Sequence, residues 1–381
     1  MFLILFLTLA LSVLLAMMFI RRILVLAYRK RLFDMPEKRK VHKNPVPRLG
    51  GISFFPVIMM VFCFMMVIRY LYADRVNPIW QYPFFIQYML FVVGMSILYF
   101  VGFYDDLVGV SYRYKFVAQI FAGSLLPLGG LWINSLGGLF GIYAIPAWIG
   151  MPFTVFMIVY IINAINLIDG IDGLASGLCC ISLFVIFILS VMTNQWTHAM
   201  LSAASFGVVA VFFYFNVFSK RRKIFMGDSG SLTLGFVISY LIIHYCVRYS
   251  FWDPFSNHLN IIALSTLTIP MLDVVRVFAS RIRDGRNPFM ADKNHIHHKL
   301  MRCGMRIRYV MCTILLMSLS YIALNFALSS YINATLILFI DLALFVLMHI
   351  VINIFIAKRE KKTGIKWAFG YKEHEIVREK G

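Results

Sequence analysis

Charge is scarce in this chain. Asp, Glu, Lys and Arg make up 14% of its 381 residues, and only 17 residues are acidic. Soluble domains carry roughly 25% charged residues, so a solvated globular enzyme is excluded. Cysteine is sparse too, at six residues with no C-x-x-C pair. Cys63, Cys179, Cys180, Cys246 and Cys312 fall in or near apolar runs and Cys303 in a polar loop, which suggests neither a disulfide framework nor a structural zinc site. Neither G-x-x-x-x-G-K-[ST] nor G-x-G-x-x-G occurs, so a standard nucleotide-binding domain is absent. The first apolar run has no basic segment before it, and Arg21 and Arg22 follow it, a pattern that excludes a cleavable signal peptide.

Hydrophobic residues are abundant, at 61% of the chain with a mean hydropathy of +0.81. Runs about 20 residues long, each sufficient to cross a bilayer, recur throughout. They cover 2–20, 51–68, 84–103, 116–133, 147–167, 174–193, 198–218, 231–250, 258–279, 309–328 and 331–357. These predict an all-α polytopic membrane protein with about eleven transmembrane helices. Pro127 and Gly129–Gly130 predict a short or bent fourth span. Residues 1–357 read as one integral-membrane unit and 358–381 as a basic tail.

Positive charge sets the expected orientation. Loops 21–48, 104–115, 219–224, 276–308 and 358–380 hold every one of the 36 Lys and Arg except Arg69, Arg75 and Arg248. The positive-inside rule then places the N-terminus outside and the tail in the cytosol. Topology accounts for most of the net charge of +19, and the same basic face attracts anionic lipids and phosphorylated substrates.

The few acids gather on that face. An Asp at the centre of a membrane helix costs roughly 2.5–3.5 kcal/mol, so its placement carries information. Asp105 and Asp106 end the third span in FYDDL, and Asp169 and Asp172 lie in NAINLIDGIDGL (163–174). Asp228 precedes the eighth span in FMGDSGS, and Asp273 with Arg276 ends the ninth, before DKNHIHHKL. Asn166, Asp169 and Asp172 are spaced so that a continuing helical turn puts them on one face. Asp341, in mid-span, reads as an internal hydrogen-bonding group, and His295, His297 and His298 lack the second ligand pair of a zinc site. Carboxylates and an Asn at one mouth make an oxygen-rich site for a hard cation such as Mg²⁺. With Arg48, Lys115, Arg276 and, if protonated, the His cluster around it, the arrangement suits phosphoryl transfer at a cavity on the cytosolic face.

Together NAINLIDGIDGL, the DD pair, FMGDSGS and HIHH resemble the polyprenyl-phosphate N-acetylhexosamine-1-phosphate transferase family, of the glycosyltransferase family 4 type. The resemblance runs from HKNPVPRLGG (42–51) to HIHHKL (295–300). The HIHH form is most like the bacterial undecaprenyl-phosphate N-acetylglucosamine-1-phosphate transferases. It implies transfer of a sugar-1-phosphate from a UDP-sugar to undecaprenyl phosphate at the bacterial inner membrane, releasing UMP, with Mg²⁺ required and Mn²⁺ as a substitute. It further implies Asp228 as the principal metal ligand, assisted by Asn166 or Asp169, and Asp105 and Asp106 as catalytic groups near the lipid phosphate. Lys115 would meet phosphate, Phe225 stack on uracil and Asp172 read the uracil edge. Arg276 and the histidines would hold the diphosphate or sugar, with Arg48 beside them. The KRRK insert before Asp228 leaves Asn216 open as a uracil contact. Membrane lipids are further partners, nucleic acid is not, and a homodimer is the oligomer considered. The alternatives are another UDP-hexosamine or a UDP-N-acetylmuramoyl-pentapeptide donor, and, in a different class, a cation-coupled transporter.

Overall fold

A computed structural model describes residues 1–30, 46–72, 82–219, 223–248, 257–287 and 294–364. Most of the first basic loop, Lys220–Arg222 of the insert and the tail beyond Gly364 lie outside the described residues. In chain order the helices are α1 (Phe2–Lys30), α2 (Phe54–Tyr72), α3 (Tyr82–Val108), α4 (Tyr112–Leu128) and α5 (Ala147–Ile168). There follow α6 (Leu174–Met192), α7 (Trp196–Val217), α8 (Gly227–Arg248), α9 (Asn257–Ser265) and α10 (Thr268–Arg283). The last are α11 (Ile296–Arg302), α12 (Ile307–Ser329) and α13 (Ala334–Thr363). A 3₁₀ turn, Gly50–Ser53, leads into α2, and the described residues hold no strand beyond one isolated bridge, Leu139 to Ile142.

Among the described residues nine helices are long and apolar enough to span a membrane, or ten if one bent pair counts as a span. The expected eleven are therefore too many, and proline is the reason. The fourth run forms α4, only 17 residues long with Pro127 in its last turn, about 26 Å of helix. The ninth run breaks into α9 and α10, bent by 61°. Pro270 has no N–H to give the carbonyl of Thr266 four residues back, so the ladder cannot continue. That carbonyl instead accepts from Ser182 Oγ (3.4 Å) and Ser318 Oγ (3.5 Å). Serines from α6 and α12 thus satisfy the break, as hydrocarbon surroundings demand.

Packing inverts the order familiar from soluble proteins. The span-length helix with the least apolar sequence, α8, is the most enclosed, and every residue from Gly227 to Cys246 is buried. It packs against α3 and α5, with α2, α6 and α9 completing the shell. Small residues allow this approach: a Cβ on Gly235 would stand 2.7 Å from Ile162 Cα of α5. By contrast α1, α3 and α13 turn Phe6, Phe100 and Phe339 outward, where lipid solvates them. No hydrophobic drive draws apolar helices inward in a bilayer, so small and polar contacts decide the centre. α8 therefore carries Asp228, at its first turn, on a support held by protein from all sides.

Candidate active site

The site is built around the N-terminus of α8. Gly227 opens it with φ +74°, a conformation that favours glycine, and aims the next N–H groups at one point. Asp106, the last but two residue of α3, meets them. Its Oδ1 accepts from the Asp228 N–H (2.7 Å), and its Oδ2 accepts from the Ser229 N–H (3.0 Å) and Ser229 Oγ (2.6 Å). A carboxylate on the orphan donors of a helix start is a strong cap, favoured further by the helix dipole. Segment 47–51 closes the other side: Phe225 N–H donates to Pro47 O (2.8 Å), Gly50 N–H to Phe225 O (2.9 Å) and Gly51 N–H to Met226 O (2.8 Å). A Cβ on Gly51 would overlap the backbone of Gly230, so only glycine permits this contact.

With its backbone pinned, Asp228 presents its carboxylate to the mouth. Lys115 Nζ donates to Asp228 Oδ2 at 2.6 Å and to Asp105 Oδ2 at 3.3 Å, bridging two acids. Arg48 Nη2 donates to Asp228 Oδ1 at 3.0 Å, and its Nε lies 3.8 Å from Asp106 Oδ1. Asn166 Nδ2 donates to Asp228 Oδ1 (3.3 Å) and to Ser231 Oγ (2.8 Å). Asp105 is fixed by the Val110 N–H on its Oδ1 (2.7 Å). Asp228 and Lys115 are thus paired across 113 residues of chain and Asp228 and Arg48 across 180. Carboxylate oxygens of Asp105, Asp106 and Asp228 lie within 4.8 Å of one another.

The acids of the α5–α6 turn do not share one helical face. α5 ends at Ile168, with Asp169 as its C-cap at φ −75°, ψ 49°, and Gly173 is left-handed at φ +76°. Beyond the helix end, the three-residue spacing no longer sets a common direction. Asn166 points to Asp228, whereas Asp172 pairs with Lys223, whose ammonium sits 5.5 Å over the Phe225 ring. Lys223 was legible only as one charge of the insert. Asn216 is not turned to the mouth: it accepts from the Gly173 N–H (2.6 Å) and donates to Ile224 O (2.8 Å), tying the turn to the entry of α8.

Asp169 has no side-chain hydrogen bond among the described residues and is reached by solvent. Desolvation by the neighbouring protein pushes its carboxyl up to about 7, opposed by Arg48 and reinforced by Asp228, Asp172 and Asp106. A raised carboxyl is protonated in the fold at pH values where the unfolded chain has released its proton. Its contribution to stability is therefore lost as pH rises from about 4 toward 7. We expect Asp169→Asn to raise the thermal midpoint of metal-free protein at pH 8 and to leave it unchanged near pH 4. Added Mg²⁺ should narrow the difference at pH 8. A gap independent of pH would count against this origin.

The histidine segment forms a separate cluster that abuts the same turn. Asp273 of α10 accepts from the Ile296 N–H (3.1 Å), caps α11, and bonds His295 Nδ1 (2.9 Å) and Arg276 Nη2 (2.7 Å). Arg276 also donates to the carbonyl of Asn294. These contacts turn Arg276 to the Asp273 cluster, with no contact to the acids around Asp228. His297 packs against Gly170, where a Cβ would strike its ring, and lies tilted beside His298. Burial, with the neighbouring His298 and His295, pushes the His297 imidazole well below its ordinary value. It is neutral at physiological pH, so the condition under which the HIHH segment would add a cation is not met at His297.

Residues 88–246 match the family model described as "Glycosyl transferase family 4". The chain is 32% identical over 282 residues to the undecaprenyl-phosphate alpha-N-acetylglucosaminyl 1-phosphate transferase of Haemophilus influenzae, covering 73% of this chain and 74% of the relative. It belongs to glycosyl transferase family 4. The proteins of the same description from Yersinia pestis and Escherichia coli K12 are 30% and 29% identical, each over 73% of this chain and 71% of theirs. As a member of that family the protein is a membrane-embedded phosphoglycosyl transferase, and the transporter alternative falls away. The family match begins in α3 and ends near the end of α8. It thereby covers most of α3 and α8, the two helices joined by Asp106 at the start of α8.

Proposed function

We propose that the protein transfers N-acetylglucosamine-1-phosphate from UDP-N-acetylglucosamine to undecaprenyl phosphate, releasing UMP. The product would be the first membrane-bound intermediate of a cell-surface glycan. The observation that carries this reading is Asp228 between Lys115 and Arg48 at the start of α8, beside Asp105 and Asn166. The relatives' described activity supports the choice of donor and acceptor. The skewed Lys and Arg distribution supports a mouth facing the cytosol of a bacterial inner membrane, with the N-terminus outside. Residues 1–357 would act as one integral-membrane transferase unit and 358–381 as its tail.

The donor set fits Mg²⁺, since carboxylate oxygens of three aspartates, Asp105, Asp106 and Asp228, lie close enough together to share one hard cation. Asp228 and Asp105 would hold the ion, with Asn166 and Asp169 at hand. When bound, it supplies charge neutralisation for a diphosphate. Lys115 and Arg48 bind phosphate oxygens and hold negative charge as it redistributes. The acceptor's phosphate monoester has a second pKa near 6, so at neutral pH it is largely dianionic and needs no strong base. Its oxygen attacks the sugar-bearing phosphorus, a new P–O bond forms, and the bond to the bridging oxygen breaks as UMP leaves. Asp105 would orient the acceptor through Lys115. Phe225 and Asp172, drawn together by Lys223, form the surface offered to the base, and His295, His297 and His298 flank the turn from which the sugar would be read.

The test is UMP release by purified protein with undecaprenyl phosphate and Mg²⁺. The donors are UDP-N-acetylglucosamine, UDP-N-acetylgalactosamine and UDP-N-acetylmuramoyl-pentapeptide. Lipid-dependent release from the first alone is expected. Release only from another donor would overturn the choice of sugar, and a phospho-aspartyl enzyme formed without lipid would overturn direct attack.

A further inference from the structure

A second cleft, of about 970 Å³, lies between α10, α11 and α13. Neither Asp228 nor any residue described above as bonded to it lines this cleft, so it is not the Asp228 mouth. Its walls change character along the helices. Toward mid-span they are Leu272 and Val275 on α10, facing Leu342, Phe345 and Val346 on α13. Toward the basic ends they carry Arg276, Arg283, Lys299 and Arg302 against only Asp284 and Glu360. Asp284 already bonds Arg286 (2.5 Å), and Arg276 is held by Asp273. Lys299 is the informative cation: it is 6% exposed and has no ion pair or side-chain hydrogen bond among the described residues. Burial, together with Arg276 and Arg302, pushes its ammonium down to about 8, so it still carries charge at neutral pH. His349 faces the same space, is 7% exposed, and both of its ring nitrogens lack a hydrogen-bond partner among the described residues.

A buried cation and a buried unpartnered imidazole in one cleft call for an anionic group with acceptor oxygens. The apolar half calls for hydrocarbon. Val275, Leu342, Val346 and Ile350 are each more than 40% exposed, so chains can enter sideways from the bilayer. Because both α10 and α13 present such residues, a headgroup seated between them leaves one chain against each. We propose that this cleft binds an anionic glycerophospholipid, its phosphate held by Lys299 and His349 and its acyl chains along α10 and α13. The acceptor lipid is used at the other mouth. The cleft lipid is a resident that ties α13 to the element carrying Asp273 and Arg276.

The test counts lipids. Full-length protein is equilibrated in nanodiscs of equimolar phosphatidylglycerol and phosphatidylcholine, released into mild detergent, and its retained lipids are counted by native mass spectrometry. Wild type should retain phosphatidylglycerol at least ten-fold over phosphatidylcholine. The double variant Lys299→Gln/His349→Phe should fall to the bulk ratio. Val346→Trp, which fills the apolar half without touching the charges, should lose retention as well and carries the test if the double variant does not fold. UMP release by the variants should stay within two-fold of wild type in nanodiscs, which separates lipid loss from unfolding. Equal retention by wild type and variants would overturn the proposal. So would displacement by millimolar glycerol phosphate, preference for undecaprenyl phosphate over phosphatidylglycerol, or a dimer that Val346→Trp abolishes.

Discussion

Asp228→Asn should lower kcat by about 10²–10³-fold and leave the fold in place. The amide keeps the volume of the carboxylate and one acceptor oxygen, so the contact from Arg48 can persist. What it removes is the negative charge facing Lys115, and with it one carboxylate of the cluster proposed to hold Mg²⁺. Half-saturation by Mg²⁺ should therefore move to higher concentration in the residual activity, while the thermal midpoint shifts little. Turnover within ten-fold of wild type at the same Mg²⁺ requirement would remove Asp228 from the centre of the site.

Replacement of Asp106 should separate two roles that a paired DD motif conceals. Both oxygens of Asp106 are occupied by donors at the start of α8, and we read it as the residue that positions Asp228. Asp106→Ala removes a helix cap worth about 0.5–2 kcal/mol. It also leaves buried N–H groups without a partner, at about 1–3 kcal/mol each. Thermal midpoints should fall in the order wild type, Asn, Ala, since Asn retains one acceptor oxygen. Turnover should follow the same order, with Ala reduced by about 10²-fold and weakened in its response to Mg²⁺. If Asp106 instead touched the acceptor directly, Asn and Ala would be equally inactive with unchanged midpoints.

Placement of the acids was legible because charge in a membrane chain is costly and therefore rarely idle. Asp105, Asp106, Asn166 and Asp228 do converge, along with Lys115 and Arg48. Their division of labour was not legible. Hydrogen bonds such as Arg48 to Asp228 join residues 180 apart, and nothing local distinguishes an Asp that caps a helix from one that faces the mouth. Spacing misled at Asn166, Asp169 and Asp172, because i, i+3 geometry holds only while the helix lasts and α5 stops at Ile168. Counting apolar runs overestimated the spans for a related reason. Hydrophobicity measures length, whereas Pro127 and Pro270 decide where the backbone ladder can continue. Pro270 was in plain view within the ninth run, and a serine on each neighbouring helix was the missing signal for a tolerated break. His297 shows the limit for charge: the sequence left the protonation of the histidine segment open, and burial decides it.

The enclosure of α8 has a consequence for how the chain is made. A helix with the weakest apolar sequence of its kind has the least to gain from leaving the translocon for lipid. Four of its five principal neighbours, α2, α3, α5 and α6, precede it in the chain, and only α9 follows. Synthesis therefore delivers the wall before the post. By the time Gly227–Arg248 emerges, Gly102 and Ile162 can already line a slot into which it fits with its serines and glycines. The order of the segments does for α8 what hydrophobicity does for the helices around it.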